Sequence, residues 1–284
     1  MNDAGEQPAA RPTDEHRQNS PSALAGAIGE VLRDGSLAAL ATLVESPRGV
    51  GAKMLVRADG APFGSLGDAA LDESVAARAL SFLSSHHEAS TERVGEFAPA
   101  LEEWRAARVM FERVEPEPHV VVCGAGHVGA ALARLARAVG YRATLIDDRA
   151  DFVTRGRFPD AGLALVAATG GWARAVAQAV GAGRGVSVAV VTRGHNEDEE
   201  CLRAVLAARP DYVGMIGSRR RTNIVLERLR GSGFPEDSLR EVRAPVGLDI
   251  GAVSPEEVAL SILAEIVAER RGGTCAPLSS WRRA

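Results

Sequence analysis

The chain has 284 residues, 46% of them hydrophobic and 25% charged, and its formal net charge is −4. These values fit a globular protein of about two domains. The weak negative charge and the lack of a long basic run argue against a nucleic-acid-binding protein. No apolar run in the sequence reaches the roughly 20 residues that a membrane-spanning helix needs. Three cysteines do not make a disulfide framework in this length, so the cytoplasm is the expected location.

The first 114 residues divide into a polar tail and a small folded block. Residues 1–20 lack the apolar centre of a secretion signal, and their composition predicts a disordered tail. Residues 21–114 are predicted to form a small α+β domain. Its predicted elements are a helix over 23–32, strands over 37–45 and 52–57, a hairpin turn at Asp59-Gly60, a helix over 71–83 and a strand over 108–114.

A loop of this block, residues 46–54, is rich in Pro and Gly and carries Arg48 and Lys53 as it enters the second predicted strand. One arginine and one lysine in such a loop are candidate contacts for an anion. The alternative is a surface loop with two solubilising cations.

A short, stiff linker over 115–118 precedes a change of pattern. In residues 119–271 continuous apolar runs alternate with helical patterns, which predicts a Rossmann-like, doubly wound parallel sheet with helices on both faces. Ser254 and Glu257 predict a capping box at the start of a last helix, and residues 272–284 are expected to form a loose tail. The predicted strands cover 120–122, 144–146, 164–166, 186–191 and 212–216, and the predicted helices cover 130–139, 173–180, 199–208 and 222–229.

The first strand of this domain runs directly into the pattern Gly124-x-Gly126-x-x-Gly129. Glycine allows a tight turn and a close backbone approach to a phosphate, and the following helix directs free N–H groups and a positive dipole end at the turn. Asp147 follows Gly124 by 23 residues, near the spacing of an acid that binds a ribose hydroxyl. The arrangement predicts an anionic, phosphate-bearing ligand. The alternative is a glycine turn that only packs helix on strand.

Further polar residues fall at the carboxyl ends of the predicted strands, where such sheets bind their ligands. Ser218 is alternatively an N-cap, Asp147 an N-cap or turn acid, and His127 an exposed or capping residue. The run from Arg219 to Arg221 is either a solvated face or a positive cluster that suits phosphate. His195 and Asp198 predict either a metal-binding or imidazole-orienting pair, or a surface histidine beside a helix-start acid. No cysteine has metal-ligand spacing, and neither a metal site nor a catalytic residue is assigned. The candidate ligand contacts here are His127, Arg149, His195, Gly217, Ser218 and Arg219.

Several motifs occur in one order between about residues 23 and 270. They are Ser46-Pro-Arg-Gly-Val-Gly-Ala-Lys-Met54 followed by Gly64-Ser65, Cys123-Gly-Ala-Gly-His-Val-Gly129, Ile146-Asp-Asp-Arg149, Thr192-x-x-His195 with Asp198, Tyr212-x-Gly-x-Ile-Gly-Ser-Arg219, and Pro245-x-Gly-Leu-Asp-Ile-Gly251 with Ser254-Pro-Glu-Glu257. Together these motifs resemble the XdhC/CoxI family, whose members are accessory proteins that mature molybdenum hydroxylases such as xanthine dehydrogenase.

The resemblance implies an N-terminal XdhC/CoxI domain and a C-terminal Rossmann domain. It also implies binding of a molybdopterin-type molybdenum cofactor, assistance with its sulfuration, and delivery to an apo-hydroxylase. A cysteine desulfurase is a further candidate partner, and a homodimer is the default oligomer. Family members often carry Gly-Gly-Gly-Cys-x-Glu where this chain has Gly67-Asp-Ala-Ala-Leu-Asp-Glu73. The missing thiolate favours a chaperone over a direct sulfur carrier.

Two other functions fit the same residues. An NAD-dependent oxidoreductase would use the glycine turn and Asp147, and Asp148 beside it would favour NAD over NADP. His127 or His195 would then be the proton donor. A pure interaction protein, with a nucleotide site that acts as a sensor or a remnant, is the third hypothesis. Under the first, either Gly124→Val or Gly126→Val is expected to abolish ligand binding by filling the turn.

Overall fold

The computed structural model describes residues 20–85 and 87–279, and it leaves the side chain of His195 undescribed. The predicted N-terminal tail therefore lies outside the described residues except for Ser20, as do the last five residues of the predicted C-terminal tail. The chain forms two compact units, Met1–Pro116 and Glu117–Ala284, and their boundary falls inside the segment predicted as a linker.

The first unit contains a five-stranded antiparallel sheet with strand order β3-β2-β1-β5-β4. Its strands are β1 Ala38–Glu45, β2 Lys53–Arg57, β3 Pro62–Gly64, β4 Ala89–Arg93 and β5 Arg108–Val114, and its helices are α1 Pro21–Arg33, α2 Ala69–Leu83 and α3 Val94–Phe97. The hairpin turn predicted between the second and third strands is present, and Gly60 adopts φ +90° in it. The sequence missed β4 and α3, because β4 is a short, polar edge strand with no continuous apolar pattern.

Helices cover both faces of this sheet. Ala39, Ala41 and Leu43 of the central strand β1 pack in a cluster with the buried face of α2. Ala38 of β1 points to the other side and joins a smaller cluster with Ala27 of α1. The buried face of α2 consists of Leu71, Val75, Ala79, Phe82 and Leu83. The alternation along β1 follows from the two-residue period of a strand between two apolar layers.

The second unit contains a five-stranded, entirely parallel sheet with strand order β10-β9-β6-β7-β8. Read from β8 in chain order, this is the 3-2-1-4-5 order of a Rossmann sheet, which confirms the predicted fold class. Its strands are β6 His119–Cys123, β7 Arg142–Asp147, β8 Leu163–Ala167, β9 Val186–Val190 and β10 Tyr212–Met215. Its helices are α4 His127–Ala138, α5 Trp172–Val180, α6 His195–Ala208, α7 Arg219–Gly231, α8 Glu236–Arg240 and α9 Pro255–Arg271.

The strands of this sheet are apolar on both faces because helices cover both. Val120 and Val122 of β6 pack in one cluster with residues of α4 and α9. Val121 and Cys123, which point the opposite way, pack in a second cluster with residues of α5, α6 and α7. Cys123 is therefore a buried core residue. Among the described residues no helix is both long enough and apolar enough to cross a lipid bilayer.

Helix starts were predicted with unequal success. The capping box of α9 is present: the Ser254 side chain accepts from the Glu257 amide at 3.2 Å, and Glu257 accepts in return from the Ser254 amide at 2.9 Å. In contrast, α4 begins three residues before the predicted start and α6 begins four residues before it. Their first turns, His127-Val-Gly129 and His195-Asn-Glu-Asp198, contain a single apolar residue between them and so carry no apolar periodicity. The short helix α8 was missed for its length.

His119 is expected to make the stability of this unit depend on pH. The residue is buried at the amino end of β6, and its Nε2 lies 2.9 Å from the hydroxyl of Thr144. Burial, with a smaller contribution from the charge of Arg142, lowers the pKa of His119 from 6.5 to about 4. The folded state therefore favours neutral His119, and the unfolded chain binds a proton first as the pH falls.

We expect about 3 kcal/mol of the free energy of unfolding to be lost as the pH falls from about 6.5 to about 4. Urea unfolding of the wild type and of His119→Gln across this range tests it, because glutamine retains a hydrogen-bonding group beside Thr144 but does not titrate. The wild type is expected to lose more stability than the variant. Equal losses in the two proteins would contradict the assignment.

Candidate functional site

A cavity of about 350 Å³ opens at the carboxyl ends of the parallel strands. It lies between β6 and β9, the two neighbouring strands at which the chain order of the sheet reverses. Such a reversal leaves a crevice, because the connections from the two strands leave toward opposite faces of the sheet. The lining residues are Gly124, Gly126, His127, Val128, Asp147, Asp148, Arg149, Trp172, Val191, Thr192, Arg193, Ile216, Gly217, Arg221 and Pro255.

The three glycines of the turn have different structural roles. Gly124 adopts φ +117°, and a Cβ placed on it would lie 2.5 Å from the carbonyl oxygen of Val191. A Cβ on Gly129 would lie 1.8 Å from the carbonyl oxygen of Gly124. A Cβ on Gly126 would meet no atom within 4 Å, and Gly126 lines the cavity. The outer glycines therefore keep β6, β9 and α4 in close contact, whereas Gly126 leaves space for a guest.

Several helix N-termini face this cavity. Gly126 is the N-cap of α4, and the first amide to close the helical ladder is that of Ala130, which donates to Gly126 at 2.9 Å. The amides of the first turn have no carbonyl partner within the helix. Trp172 and Pro255, the first residues of α5 and α9, line the same cavity. Amide donors and positive dipole ends converge here, and phosphate-binding sites of this fold have the same arrangement.

Asp147 ends β7 and is 1% exposed. Its carboxylate accepts the amide of Ala125, in the glycine turn, at 2.7 Å. It also accepts the amide of Arg149 at 2.9 Å and that residue's Nε and Nη2 at 2.8 and 3.0 Å. Burial alone would raise the pKa of Asp147, but the hydrogen bonds from Arg149 and Ala125 outweigh it and lower the pKa to about 2. Asp147 is thus a charged anchor for the turn.

Two arginines at the cavity wall are held in ion pairs. The Arg149 guanidinium, paired with Asp147, also stacks 3.5 Å from the ring centroid of Phe152. Arg193 forms a bidentate pair with Asp148 at 2.7 and 2.8 Å. Asp147, which ends β7, and Asp148, which follows it, are therefore each neutralised by an arginine. The argument that the two acids together favour NAD over NADP loses its basis.

A buried polar network underlies the end of β9. Asp198 is fully buried; the hydroxyl of Thr192 donates to it, and Arg221 Nε donates to it at 2.6 Å. Arg221 also reaches the carbonyl of Thr192 at 3.4 Å. The sequence paired Asp198 with His195 and treated Arg221 as one cation of a surface cluster. The signal that could have identified it is position: Arg221 lies in the first turn of α7, beside the strand end that carries Thr192.

The predicted ligand contacts in this unit fall into two groups. Six of them line the cavity, namely Gly124, Gly126, His127, Asp147, Arg149 and Gly217. Gly129 instead packs behind the turn. Ser218 is the N-cap of α7 and accepts the Arg221 amide at 3.3 Å, and Arg219 is exposed at the start of that helix. His195 begins α6, but its predicted ligand contact rests on a side chain outside the described part of the structure.

The two predicted anion contacts of the first unit have internal partners. Arg48 pairs with Glu103, lies 3.9 Å from Asp68 and stacks 4.7 Å from the ring centroid of Trp104. Lys53 donates to the hydroxyl of Thr42 at 2.7 Å. The anion-binding role of Arg48 and Lys53 stays a prediction. Within residues 20–85 and 87–279, no three His, Cys, Asp or Glu side chains cluster in a way that could hold a metal ion.

Comparison with known proteins identifies the family to which the sequence is similar. Residues 120–266, more than half of the chain, match the model of the XdhC Rossmann domain, and residues 31–95 match that of the XdhC and CoxI family. The molybdenum cofactor insertion chaperone PaoD of Escherichia coli (strain K12) is 27% identical over 307 residues, with 94% of each chain covered. A relative from Bacillus subtilis (strain 168), named as a probable xanthine dehydrogenase component, is 28% identical over 167 residues, covering 59% of this chain and 47% of that protein.

Two further similarities are more distant in length or in structure. The uncharacterized protein YqeB of Escherichia coli (strain K12) is 31% identical over 220 residues, covering 76% of this chain and 40% of that protein. The chain thus spans less than half the length of YqeB and of the Bacillus subtilis protein. A crystal structure of a xanthine dehydrogenase from Bacillus halodurans is 18% identical with a TM-score of 0.48, covering 90% of this chain and 98% of that one.

The network beneath the cavity makes a testable contribution to stability. Asp198→Ala leaves the Arg221 guanidinium without its buried counter-charge, and we expect a loss of about 3 kcal/mol in the free energy of unfolding. Thr192→Val removes one hydrogen bond to the same carboxylate, and we expect a loss of about 1 kcal/mol. Urea denaturation measures both. Losses of equal size in the two variants would show that the Asp198–Arg221 pair does not dominate the network.

Proposed function

This chain belongs to the XdhC and CoxI family, and we propose that its second unit binds a molybdopterin-type molybdenum cofactor by its phosphate for insertion into a molybdenum hydroxylase. The observation that carries the proposal is the space above Gly126. The backbone there is open to a guest, while Gly124 and Gly129 on either side are packed against neighbouring backbone. A phosphate oxygen approaching Gly126 would meet amide donors of the first turn of α4.

The lining residues fit a phosphate better than they fit a metal. The cavity wall carries three arginines and no cysteine, and the described residues contain no metal-binding cluster. A soft thiolate ligand for molybdenum is therefore missing from the wall. We propose that the chain holds the cofactor by its phosphate end, through the glycine turn with Arg149, His127 and the Gly217 segment. Ser218, Arg219 and His195, beside these residues in sequence, stay proposed contacts, as do Arg48 and Lys53 of the first unit.

The proposed step after binding is delivery to an apo-hydroxylase. The relative that matches this chain over nearly its whole length is named as an insertion chaperone for the molybdenum cofactor. The name of the Bacillus subtilis relative associates it with xanthine dehydrogenase. A chaperone must bind its cargo reversibly, and charge-assisted hydrogen bonds at an open cavity suit that need, because the same donors can be exchanged for those of the client. We propose that this occurs in the cytoplasm, with the chain as a homodimer.

Assistance with sulfuration is proposed in a limited form. Cys123 and Cys201 are both buried, and burial raises the pKa of the Cys201 thiol, which disfavours the reactive thiolate. The segment 67–73 contains no cysteine. We propose that the chain presents bound cofactor to a cysteine desulfurase and does not carry the sulfur itself.

The oxidoreductase alternative is less well supported by the geometry. The hydrogen bonds of Asp147, the acid that would hold an NAD ribose, go to Ala125 and to Arg149. His127 is exposed at the cavity, and it stays a candidate proton donor together with His195. Turnover of a carbonyl substrate with NADH would restore this alternative.

The first prediction of the proposal concerns Gly126. Its φ of −68° is accessible to any residue, so Gly126→Val keeps the fold but places two methyl groups where the phosphate is proposed to lie. We expect purified wild type to carry molybdopterin and the variant to lose at least about tenfold in affinity, which corresponds to one lost charge-assisted interaction. Anaerobic purification followed by mass spectrometry of the released small molecule, with titration of the cofactor, measures both.

The matched control is Gly231→Val. Gly231 ends α7, about 20 Å along the helix from the cavity end, and a Cβ there also meets no atom within 4 Å. The control is expected to bind like the wild type. Full cofactor binding by Gly126→Val, with thermal unfolding unchanged, would refute the proposed site. Gly124→Val is unsuitable, since its clash with Val191 disturbs the fold itself.

The second prediction concerns Cys275, which is exposed. If the chain presents cofactor without carrying sulfur, Cys275→Ser is expected to activate an apo-hydroxylase as well as the wild type does. The measurement is hydroxylase activity after incubation with cofactor, desulfurase and either form of the chain. A large loss of activation with Cys275→Ser would assign a sulfur-carrying role to this thiol.

A further inference from the structure

Asp147 occupies the position from which an acid binds the ribose of a dinucleotide, but its hydrogen-bond acceptor sites are already filled by protein donors. A carboxylate offers about four lone-pair sites. Four protein donors already point at this one: the amides of Ala125 and Arg149, and the Nε and Nη2 groups of Arg149. The two hydroxyls of a ribose need acceptors, and Asp147 has none to spare unless Arg149 moves away. The end of β7 therefore lacks the free hydrogen-bond acceptors that a ribose diol needs.

Arg149 instead supplies free hydrogen-bond donors. Of its five side-chain N–H groups, two are directed to Asp147, which leaves three donors. The guanidinium lines the cavity and is fixed by Asp147 on one side and by the Phe152 ring, 3.5 Å away, on the other. A fixed guanidinium with spare donors binds an oxyanion with little loss of side-chain entropy. Neighbouring Arg193 is held in place by Asp148 in the same way.

The glycine turn and Arg149 thus form two donor-rich places at one cavity. Resting on the proposed function, we propose that Arg149 is a specificity-determining residue that binds a second anionic group of the ligand. The site then selects bis-anionic ligands over ligands whose second recognised group is a neutral ribose diol. Asp147 acts as a positioning residue, because it holds both the turn, through Ala125, and the guanidinium.

Three probes separate the two recognition modes: inorganic pyrophosphate, ADP-ribose and 2′-phospho-ADP-ribose. The last two differ by one phosphate on the hydroxyl that an acid would otherwise grip. Isothermal titration of the whole chain is expected to give at least about tenfold tighter binding of 2′-phospho-ADP-ribose than of ADP-ribose. ADP-ribose is expected to bind no tighter than pyrophosphate. Equal or tighter binding of ADP-ribose than of its 2′-phosphate would overturn the proposal.

The variant Arg149→Gln removes the proposed anion contact and frees acceptor sites on Asp147. The preference for the 2′-phosphate is expected to fall to about one, or to reverse, while pyrophosphate binding stays within about threefold of the wild type. A general loss of structure would weaken all three probes together, so the ratio reports on recognition. Arg240→Gln is the matched control, since Arg240 is an exposed arginine paired with Glu236 on α8 and is absent from the cavity wall. An unchanged ratio in Arg149→Gln would overturn the proposal.

The outcomes also separate this inference from the proposed function. If pyrophosphate fails to bind the wild type, both are overturned. If pyrophosphate binds and Gly126→Val weakens it, but the diol ligand is preferred, only the role of Arg149 is overturned and the phosphate site stands.

Discussion

The carboxylate of Asp147 is the contact on which the carboxyl edge of the Rossmann unit depends. It joins three parts of the chain: the end of β7, the amide of Ala125 in the glycine turn, and the side chain of Arg149. Because the group is buried, each of these bonds forms in a medium that screens charge weakly. The turn is therefore fixed to the sheet from two directions, by Asp147 and by the close backbone contact of Gly124 with Val191. A ligand meets donors that are already in place.

The arginines at this edge are paired with acids, so the edge carries no excess of positive charge. Arg149, Arg193 and Arg221 each face an acid, and the chain as a whole carries a formal charge of −4. Long-range attraction of an anion is therefore weak, and recognition falls to short-range donors and helix termini. This arrangement would suit the proposed role as a chaperone that releases its cofactor, since binding would not rely on a strong positive field. It also explains why composition gave no sign of the proposed anion site.

The fold could be predicted because its signals are local. Apolar strands covered on both faces, the spacing from Gly124 to Asp147 and the capping box at Ser254 are each readable along the sequence. The site could be predicted only as a set of strand-end residues. Arg221 and Asp198 are 23 residues apart, and only the packing of α7 beside α6 brings them together. The sequence motif does not distinguish the roles of Gly124, Gly126 and Gly129. Only the positions of neighbouring atoms show that two of them pack against backbone and one faces open space. Polar β4 gave no apolar signal at all.

The last helix carries one more consequence. Pro255, its first residue, lines the cavity together with Gly124, which follows the first strand of the unit. The cavity wall is thus complete only when the opening and closing segments of the Rossmann unit have met, because a unit that lacks α9 also lacks Pro255. Binding of the proposed cofactor would then depend on a completely folded Rossmann unit, and by mass action it would strengthen that unit against unfolding. Loading and quality control would be one event.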